Sequence, residues 1–181
     1  AAIRKQKVTV ELVDLFHTDE KHTWFAFTPG GTHLVAYNET SATVWNTNDR
    51  KRGHQIERPD LKLHCVRVSP DGKWLAASAN TTVETASDRL LLWNLETGEL
   101  TKDIVPDRGS GYPKSLAFSH DSRFIAFGAE GLAVYRVPNL ESYFFYRGEA
   151  IMAIAFSPDD RVLSLARIRD TVALWSMATN T

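Results

Sequence analysis

The sequence repeats one arrangement of strands and turns four times, at intervals of about 40 residues. In each unit an alternating strand runs into a polar turn, a short apolar strand follows, and a third strand ends in an aromatic residue. The closing aromatic residues are Trp45, Trp93, Tyr135 and Trp175. A repeat of this length predicts similar supersecondary units, each of which buries its apolar faces against its neighbours.

The turns begin at Thr28, Ser69, Ser119 and Ser157 and use similar chemistry. Pro restricts φ, Asp bonds back to the backbone, and Gly or a small polar residue takes the corner. The second strands are predicted at 33–37, 74–78, 124–127 and 162–165, the third at 42–45, 90–93, 132–135 and 172–175, and fourth strands at 54–58, 99–105 and 143–147. Short strands separated by turns predict an all-β, antiparallel chain.

Two segments carry a family resemblance. Residues 68–76 read Val-Ser-Pro-Asp-Gly-Lys-Trp-Leu-Ala and residues 90–99 read Leu-Leu-Leu-Trp-Asn-Leu-Glu-Thr-Gly-Glu, with a shorter version of both at 156–160 and 171–175. These segments resemble WD-repeat proteins, and the likeness extends from Trp24 to Trp175. It implies a β-propeller of four-stranded antiparallel blades that serves as a scaffold for protein or peptide partners.

On this basis the chain is predicted to be a single WD-repeat region, 1–181, with four blades. The limits are a closing strand at 7–13 and blades at 23–58, 63–105, 114–147 and 150–177, the last without its fourth strand. The family's repeats often join an Asp six residues before the Trp to a His and a Ser or Thr. Here Asp88 and Asp170 stand five residues before the Trp, so we expect that network to be degenerate or absent.

Four blades in a row leave the outer faces of the first and last blades uncovered. Three arrangements remain open at this point. Two copies could form an eight-bladed ring, a homodimer in which each closing strand completes the partner's fourth blade. The chain could instead be part of a longer propeller, or a four-bladed monomer.

The candidate binding site lies on two long connections. The second unit carries about seven extra residues within Ala79 to Asp88, and the connection at 106–113 is long and glycine-rich. Loops of a rigid scaffold often carry its binding residues. The predicted partner-binding patch comprises Thr81, Thr82, Glu84, Arg108 and Tyr112. The alternative is that both loops are tolerated insertions without a role.

A second candidate surface is the aromatic run at 143–146, for which packing in the core is favoured. Cys65 is the only cysteine, so no disulfide can form within the chain, and its alternating surroundings predict a core position.

The net charge and the motifs of the sequence limit the classes of function that fit it. The formal net charge is −1, from 21 basic and 22 acidic residues, which disfavours nucleic acid and membrane surfaces as partners. The sequence lacks the common catalytic motifs, so no catalytic, cofactor-binding or metal-binding residue is assigned. His17 and His22 flank a turn with Asp19 and Glu20 that is interpreted as solvated rather than metal-binding.

The sequence thus predicts a non-catalytic scaffold for protein-protein interaction. The alternatives are a propeller enzyme or a purely structural, self-assembling propeller half. A cytoplasmic location is expected, because no signal pattern or long apolar run is present.

Overall fold

The computed structural model describes residues 24–82, 87–106, 115–168 and 171–177, and these segments form antiparallel β-strands joined by tight turns. The predicted closing strand at 7–13 lies outside the described residues, as do His17 and His22.

The first two sheets each contain four strands in sequential order. Sheet 1 comprises β1 (Trp24–Phe27), β2 (His33–Tyr37), β3 (Ser41–Asn46) and β4 (Arg52–Glu57). Sheet 2 comprises β5 (Leu61–Val68), β6 (Trp74–Thr81), β7 (Asp88–Asn94) and β8 (Leu100–Ile104). All neighbouring strands are antiparallel, which confirms the predicted fold class at this level.

The remaining strands are β9 (Ser115–Phe118), β10 (Phe124–Arg136), β11 (Glu141–Phe156), β12 (Val162–Arg167) and β13 (Val172–Ser176). These five strands form one hydrogen-bonded sheet, in which residues 141–146 and Ala150 of β11 pair with β10, whereas residues 151–156 pair with β12. Within it we define sheet 3 as β9, β10 and the first half of β11, and sheet 4 as the second half of β11, β12 and β13.

Strand β10 folds back on itself. Its 13 residues would span about 40 Å if they were straight. Instead, the Val137 amide donates to the Arg123 carbonyl at 2.9 Å, which brings the two ends together. The reversal lies at Gly131, where φ is 128° and an added Cβ would stand 2.4 Å from the Tyr146 carbonyl oxygen. Sheet 3 therefore has four strands, including the two arms of β10.

The strands match the sequence pattern closely. The predicted second and third strands of every unit lie within observed strands. One fourth strand was placed too late: it was predicted at 54–58, whereas β4 is Arg52–Glu57. The turn before it is short, because Arg50 adopts a φ of 62° and the Asn46 amide already bonds to the Lys51 carbonyl at 2.9 Å.

Neighbouring sheets pack face to face through apolar clusters. In β7, Leu91 faces the cluster shared with sheet 1, whereas Leu90 and Leu92 face the cluster shared with sheet 3. This is the alternation expected of a strand buried on both sides. Cys65 is buried in the second cluster, which confirms its predicted core position.

The outer faces of the terminal sheets are apolar and exposed. Phe25 and Phe27 on β1 are 62% and 65% exposed, and Val172 and Leu174 on β13 are 72% and 73% exposed. The sequence predicted that these two outer faces are uncovered. Single exposed apolar residues are common on proteins, but pairs on one strand face indicate a surface that something else covers.

A repeated turn closes one end of the sheets. In three of the turns a serine hydroxyl donates to the aspartate two residues on and accepts from the amide five residues on, and these serines are Ser69, Ser119 and Ser157. The aspartates of the turns therefore serve the turn geometry, as the sequence predicted.

The corner residues that follow add bonds between sheets. Gly72, Ser122 and Asp160 all adopt positive φ, at 73°, 61° and 57°. The Ser122 hydroxyl accepts from the Asp71 amide at 3.0 Å, so it joins sheet 3 to sheet 2. The Asp160 carboxylate accepts from the His120 and Asp121 amides at 2.8 and 2.9 Å, so it joins sheet 4 to sheet 3. The non-glycine corners therefore offset their backbone strain by bonding to the preceding turn.

We expect Asp160→Ala to lower the free energy of unfolding by about 2 kcal/mol, because it removes these bonds and keeps the strained φ. Asp160→Gly removes the same bonds but tolerates the positive φ, so it should be about 1 kcal/mol less destabilising. Urea denaturation of both variants measures the difference. Equal stability of the two variants and the unchanged protein would contradict a role for Asp160 between the sheets.

Candidate functional site

The structure describes two of the five residues of the predicted partner-binding patch. Thr81 is the last residue of β6, and Thr82 follows it. Glu84, Arg108 and Tyr112 lie outside the described residues. Thr81 and Thr82 lie at the end of the sheets opposite to the serine turns, since β6 begins after one of those turns and ends here.

Both threonines hold the base of the β6–β7 connection in place. The Thr81 hydroxyl accepts from the Ser87 amide at 3.1 Å across the connection. The Thr82 amide and hydroxyl both donate to the Asp60 carbonyl at 3.2 Å. The connection is thus tied to the segment between β4 and β5.

The extent of this connection was overestimated from the sequence. Residues Ala79 to Asp88 were assigned to it, but β6 continues through Thr81 and β7 begins at Asp88, with Asn80 paired to Asp88. The polar residues at these positions suggested a loop, whereas hydrogen bonds from a neighbouring strand satisfy them within the sheet.

An ion-pair network lies beside the connection. The Arg58 guanidinium bonds to the Asp60 carboxylate at 2.9 Å and to the Asp103 carboxylate at 3.3 Å. Arg89 bonds to Asp103 through its Nε at 2.7 Å. The hydrogen bond to Asp60 raises the pKa of Arg58, and the same bond lowers the pKa of Asp60. This network joins the segment between β4 and β5 to β7 and β8, so it gives the connection a rigid base.

A second polar network runs into the sheet below the connection. His64 Nε2 donates to Asn80 Oδ1 at 2.6 Å, and Asn80 Nδ2 donates to Asp88 Oδ1 at 2.6 Å. Asp88 is only 1% exposed, and its Oδ2 has no hydrogen-bond partner among the described residues. The family's network was expected to be degenerate or absent, and sheet 2 carries an altered version of it in which Asn80 joins His64 to Asp88. Asp170 lies outside the described residues.

Burial shifts the titration of both ends of this network. Burial, with a smaller contribution from the nearby Glu130 carboxylate, raises the pKa of the Asp88 carboxyl to about 6, although the hydrogen bond from Asn80 acts to lower it. Burial also lowers the pKa of the His64 imidazole. No local pattern in the sequence signals this pairing, because His64 and Asn80 come together only through the register of β5 and β6.

The aromatic run at 143–146 packs inside the sheet stack. Tyr143, Phe144 and Tyr146 contact the cluster between sheets 3 and 4, and Phe145 contacts the cluster between sheets 2 and 3. This confirms the interpretation of the run as core, although all four side chains remain partly exposed.

Other kinds of site find little support in the part of the chain that the structure describes. That part contains no group of three or more His, Cys, Asp and Glu side chains arranged to hold a metal ion. Within the same residues, no helix has the length and apolar character needed to cross a membrane.

The raised pKa of Asp88 makes stability depend on pH. The folded protein holds this proton more tightly than the unfolded chain, so the contribution is complete below about pH 4 and is lost as pH rises through about 6. We expect the loss to be about 3 kcal/mol, and Asp88→Asn to remove most of it. Urea denaturation between pH 4 and pH 7 measures the slope.

Two controls accompany this measurement. Glu96→Gln removes an exposed carboxylate and should leave the slope unchanged. His64→Gln removes a contribution of opposite sign, because a lowered histidine pKa makes stability rise with pH. An Asp88→Asn variant with the unchanged protein's pH slope would refute the assignment.

Comparisons with known proteins agree with the repeat. The family model described as "WD domain, G-beta repeat" matches residues 50–84. A subunit of eukaryotic translation initiation factor 3 from Kluyveromyces lactis is 25% identical over 174 residues, which cover 85% of this chain and 23% of that protein. WD repeat-containing protein SL1-17 of Schistosoma mansoni is 29% identical over 146 residues, which cover 78% of this chain and 46% of that protein. The chain thus spans less than half the length of these relatives.

A solved structure shares the fold. Hydrazine synthase of Kuenenia stuttgartiensis matches with a TM-score of 0.71 at 13% identity, over 85% of this chain and 58% of the other. At this identity the likeness concerns the fold alone, an all-β arrangement of antiparallel sheets like that of a propeller. The family model and the two relatives support the resemblance of the four repeated units to WD-repeat proteins.

Proposed function

We propose that this chain is a non-catalytic scaffold that binds a protein or peptide partner at the end of sheet 2 that carries Thr81 and Thr82. The observation that carries the proposal is the fixed base of the β6–β7 connection, where Thr82 bonds to Asp60 and Asp60 bonds to Arg58. A rigid base lowers the entropy lost when a loop engages a partner. The full predicted patch adds Glu84, Arg108 and Tyr112.

The relatives support a role within an assembly. One is named as a subunit of a translation initiation factor, and another as a WD repeat-containing protein. By its name the hydrazine synthase is an enzyme, but its likeness to this chain is one of fold and carries no residue of its chemistry to this chain. The proposal also includes a cytoplasmic location and a partner that is neither nucleic acid nor a membrane.

A triple variant tests the patch. Glu84→Ala, Arg108→Ala and Tyr112→Ala together should weaken partner binding by about tenfold or more, since few residues carry most of the affinity of an interface. The partner is first captured with the full chain as bait, and calorimetry with the purified partner then measures the affinity.

Lys51→Ala supplies the matched control, because Lys51 is exposed and lies in a turn at the opposite end of sheet 1. The proposal fails if the triple variant binds as tightly as the unchanged chain, or if Lys51→Ala weakens binding equally.

We further propose that a second copy covers the apolar outer faces of sheets 1 and 4. The exposed pairs Phe25 with Phe27 and Val172 with Leu174 support this self-assembly. Sheet 4 has three strands within the described residues, so its edge strand β13 can accept another strand there. In this arrangement residues 7–13 of each copy would complete sheet 4 of the other, which gives an eight-bladed ring.

The mass in solution tests this arrangement. We expect sedimentation equilibrium of the full chain to give twice the chain mass of 20.3 kDa. Leu174→Glu places a charge on the exposed face without touching the core, so it should shift the equilibrium to the monomer. A folded protein that remains at the chain mass at high concentration would rule the dimer out.

A further inference from the structure

A groove between sheets 3 and 4 opens at the end of the strands that carries the serine turns, opposite to Thr81 and Thr82. Its volume is about 490 Å³. Its walls combine apolar and aromatic side chains with polar ones; they include Phe124, Tyr143, Phe144, Leu163 and Trp175 together with Arg123, Arg136 and Ser176. Pockets of this size in which a few polar groups stand among apolar and aromatic side chains are typical ligand sites.

Arg136 at this groove is held by aromatic rings. Its guanidinium carbon lies 4.7 Å from the centre of the Tyr143 ring and 5.6 Å from the centre of the Phe124 ring. The two rings contact each other, with centres 4.8 Å apart. Such stacking restricts the guanidinium to one plane while its N–H donors stay available.

Arg136 is exposed and forms no ion pair with any carboxylate in the described residues. Glu141 stands opposite it in the β10–β11 pairing, but the Glu141 carboxylate accepts a hydrogen bond from Asn139 instead. The other arginine of the groove, Arg123, bonds to the Asp121 carboxylate at 2.6 Å. None of the described residues that line this groove is a carboxylate, so an anion placed in it would meet Arg136 without a competing acid from them.

The shape of the surface favours an extended ligand. The groove continues into a cleft of about 690 Å³, with which it shares Phe124, Tyr143 and Met177. The cleft runs past the corner at Asp160. A small molecule would fill one part of this surface, whereas an extended peptide segment can occupy its length.

We propose that this groove binds an extended peptide in which an acidic side chain stands next to apolar ones. The carboxylate pairs with the Arg136 guanidinium, and the neighbouring apolar side chain packs on Trp175 and Phe144. The inference rests on the proposed scaffold function, but it uses a surface separate from the patch at Thr81 and Thr82.

Synthetic peptides provide the probe. A fluorescein-labelled peptide of alternating glutamate and leucine is titrated with the full chain, and fluorescence anisotropy measures its affinity. Matched peptides replace every glutamate by glutamine or every leucine by serine. We expect both replacements to weaken binding by about tenfold or more, because one removes the charge-assisted bond and the other the apolar contact.

Variants of the chain locate the binding. Arg136→Gln should weaken binding of the glutamate-leucine peptide by about tenfold, and Arg136→Lys by less, since lysine keeps the charge without the planar fork. Lys51→Gln is the control, because Lys51 lies in a turn of sheet 1, lines neither the groove nor the cleft, and its side chain is 81% exposed. It should change the affinity by less than about twofold. Thermal denaturation confirms that the variants fold.

Several outcomes would overturn the inference. These are absence of binding, equal binding of the glutamine peptide, or equal losses from Arg136→Gln and Lys51→Gln. A change of the mass in solution by Arg136→Gln, with peptide binding intact, would assign the groove to a second copy instead. The triple variant of the loop patch should leave peptide binding unchanged, so a failure here is distinct from a failure of the proposed function.

Discussion

The structure depends on sheets that are apolar on both faces. Because successive side chains of a strand point to opposite sides, Leu91 enters one cluster while Leu90 and Leu92 enter the next. An inner sheet therefore cannot be stable alone: its burial requires a neighbour on either side. The row of sheets, the apolar terminal faces and the groove between sheets 3 and 4 all follow from this single requirement.

Polar groups are accommodated where the strands end. His64, Asn80 and Asp88 form a chain of hydrogen bonds inside sheet 2, while Arg58 and Asp103 form ion pairs nearer the solvent. Burial of a carboxylate oxygen without a partner costs free energy. This cost disfavours the charged form of Asp88 and so raises its pKa. At the end of sheet 2, ion pairs thus hold the outer residues in place, while the buried Asp88 carboxyl has a perturbed pKa. Groups with perturbed pKa values are often found near functional surfaces.

The sequence was sufficient for the parts of the fold that depend on local pattern. Alternation and turn chemistry placed β2 at its observed limits of His33–Tyr37 and predicted a buried Cys65. The contacts of the candidate site were harder to predict from the sequence, because they join residues on different strands. The spacing of the repeats assigned Asn80 to a loop, because its bond to His64 depends on the register of β5 and β6, and Arg136 meets Phe124 and Tyr143 only after the two arms of β10 and β11 come together. No pattern within one repeat contains that information.

The corner residues of the turns also make each repeat specific to its position in the chain. Gly72 has no side chain to offer a neighbour, Ser122 accepts one amide of the turn before it, and Asp160 accepts two. The units are similar in strands but cannot be exchanged: a unit with glycine at this corner, moved to the position of sheet 4, would leave the His120 and Asp121 amides without their acceptor. The corner residues of the turns therefore determine which units can be neighbours. A rearranged or duplicated array of these units would need substitutions at the corners so that each one bonds to the turn before it.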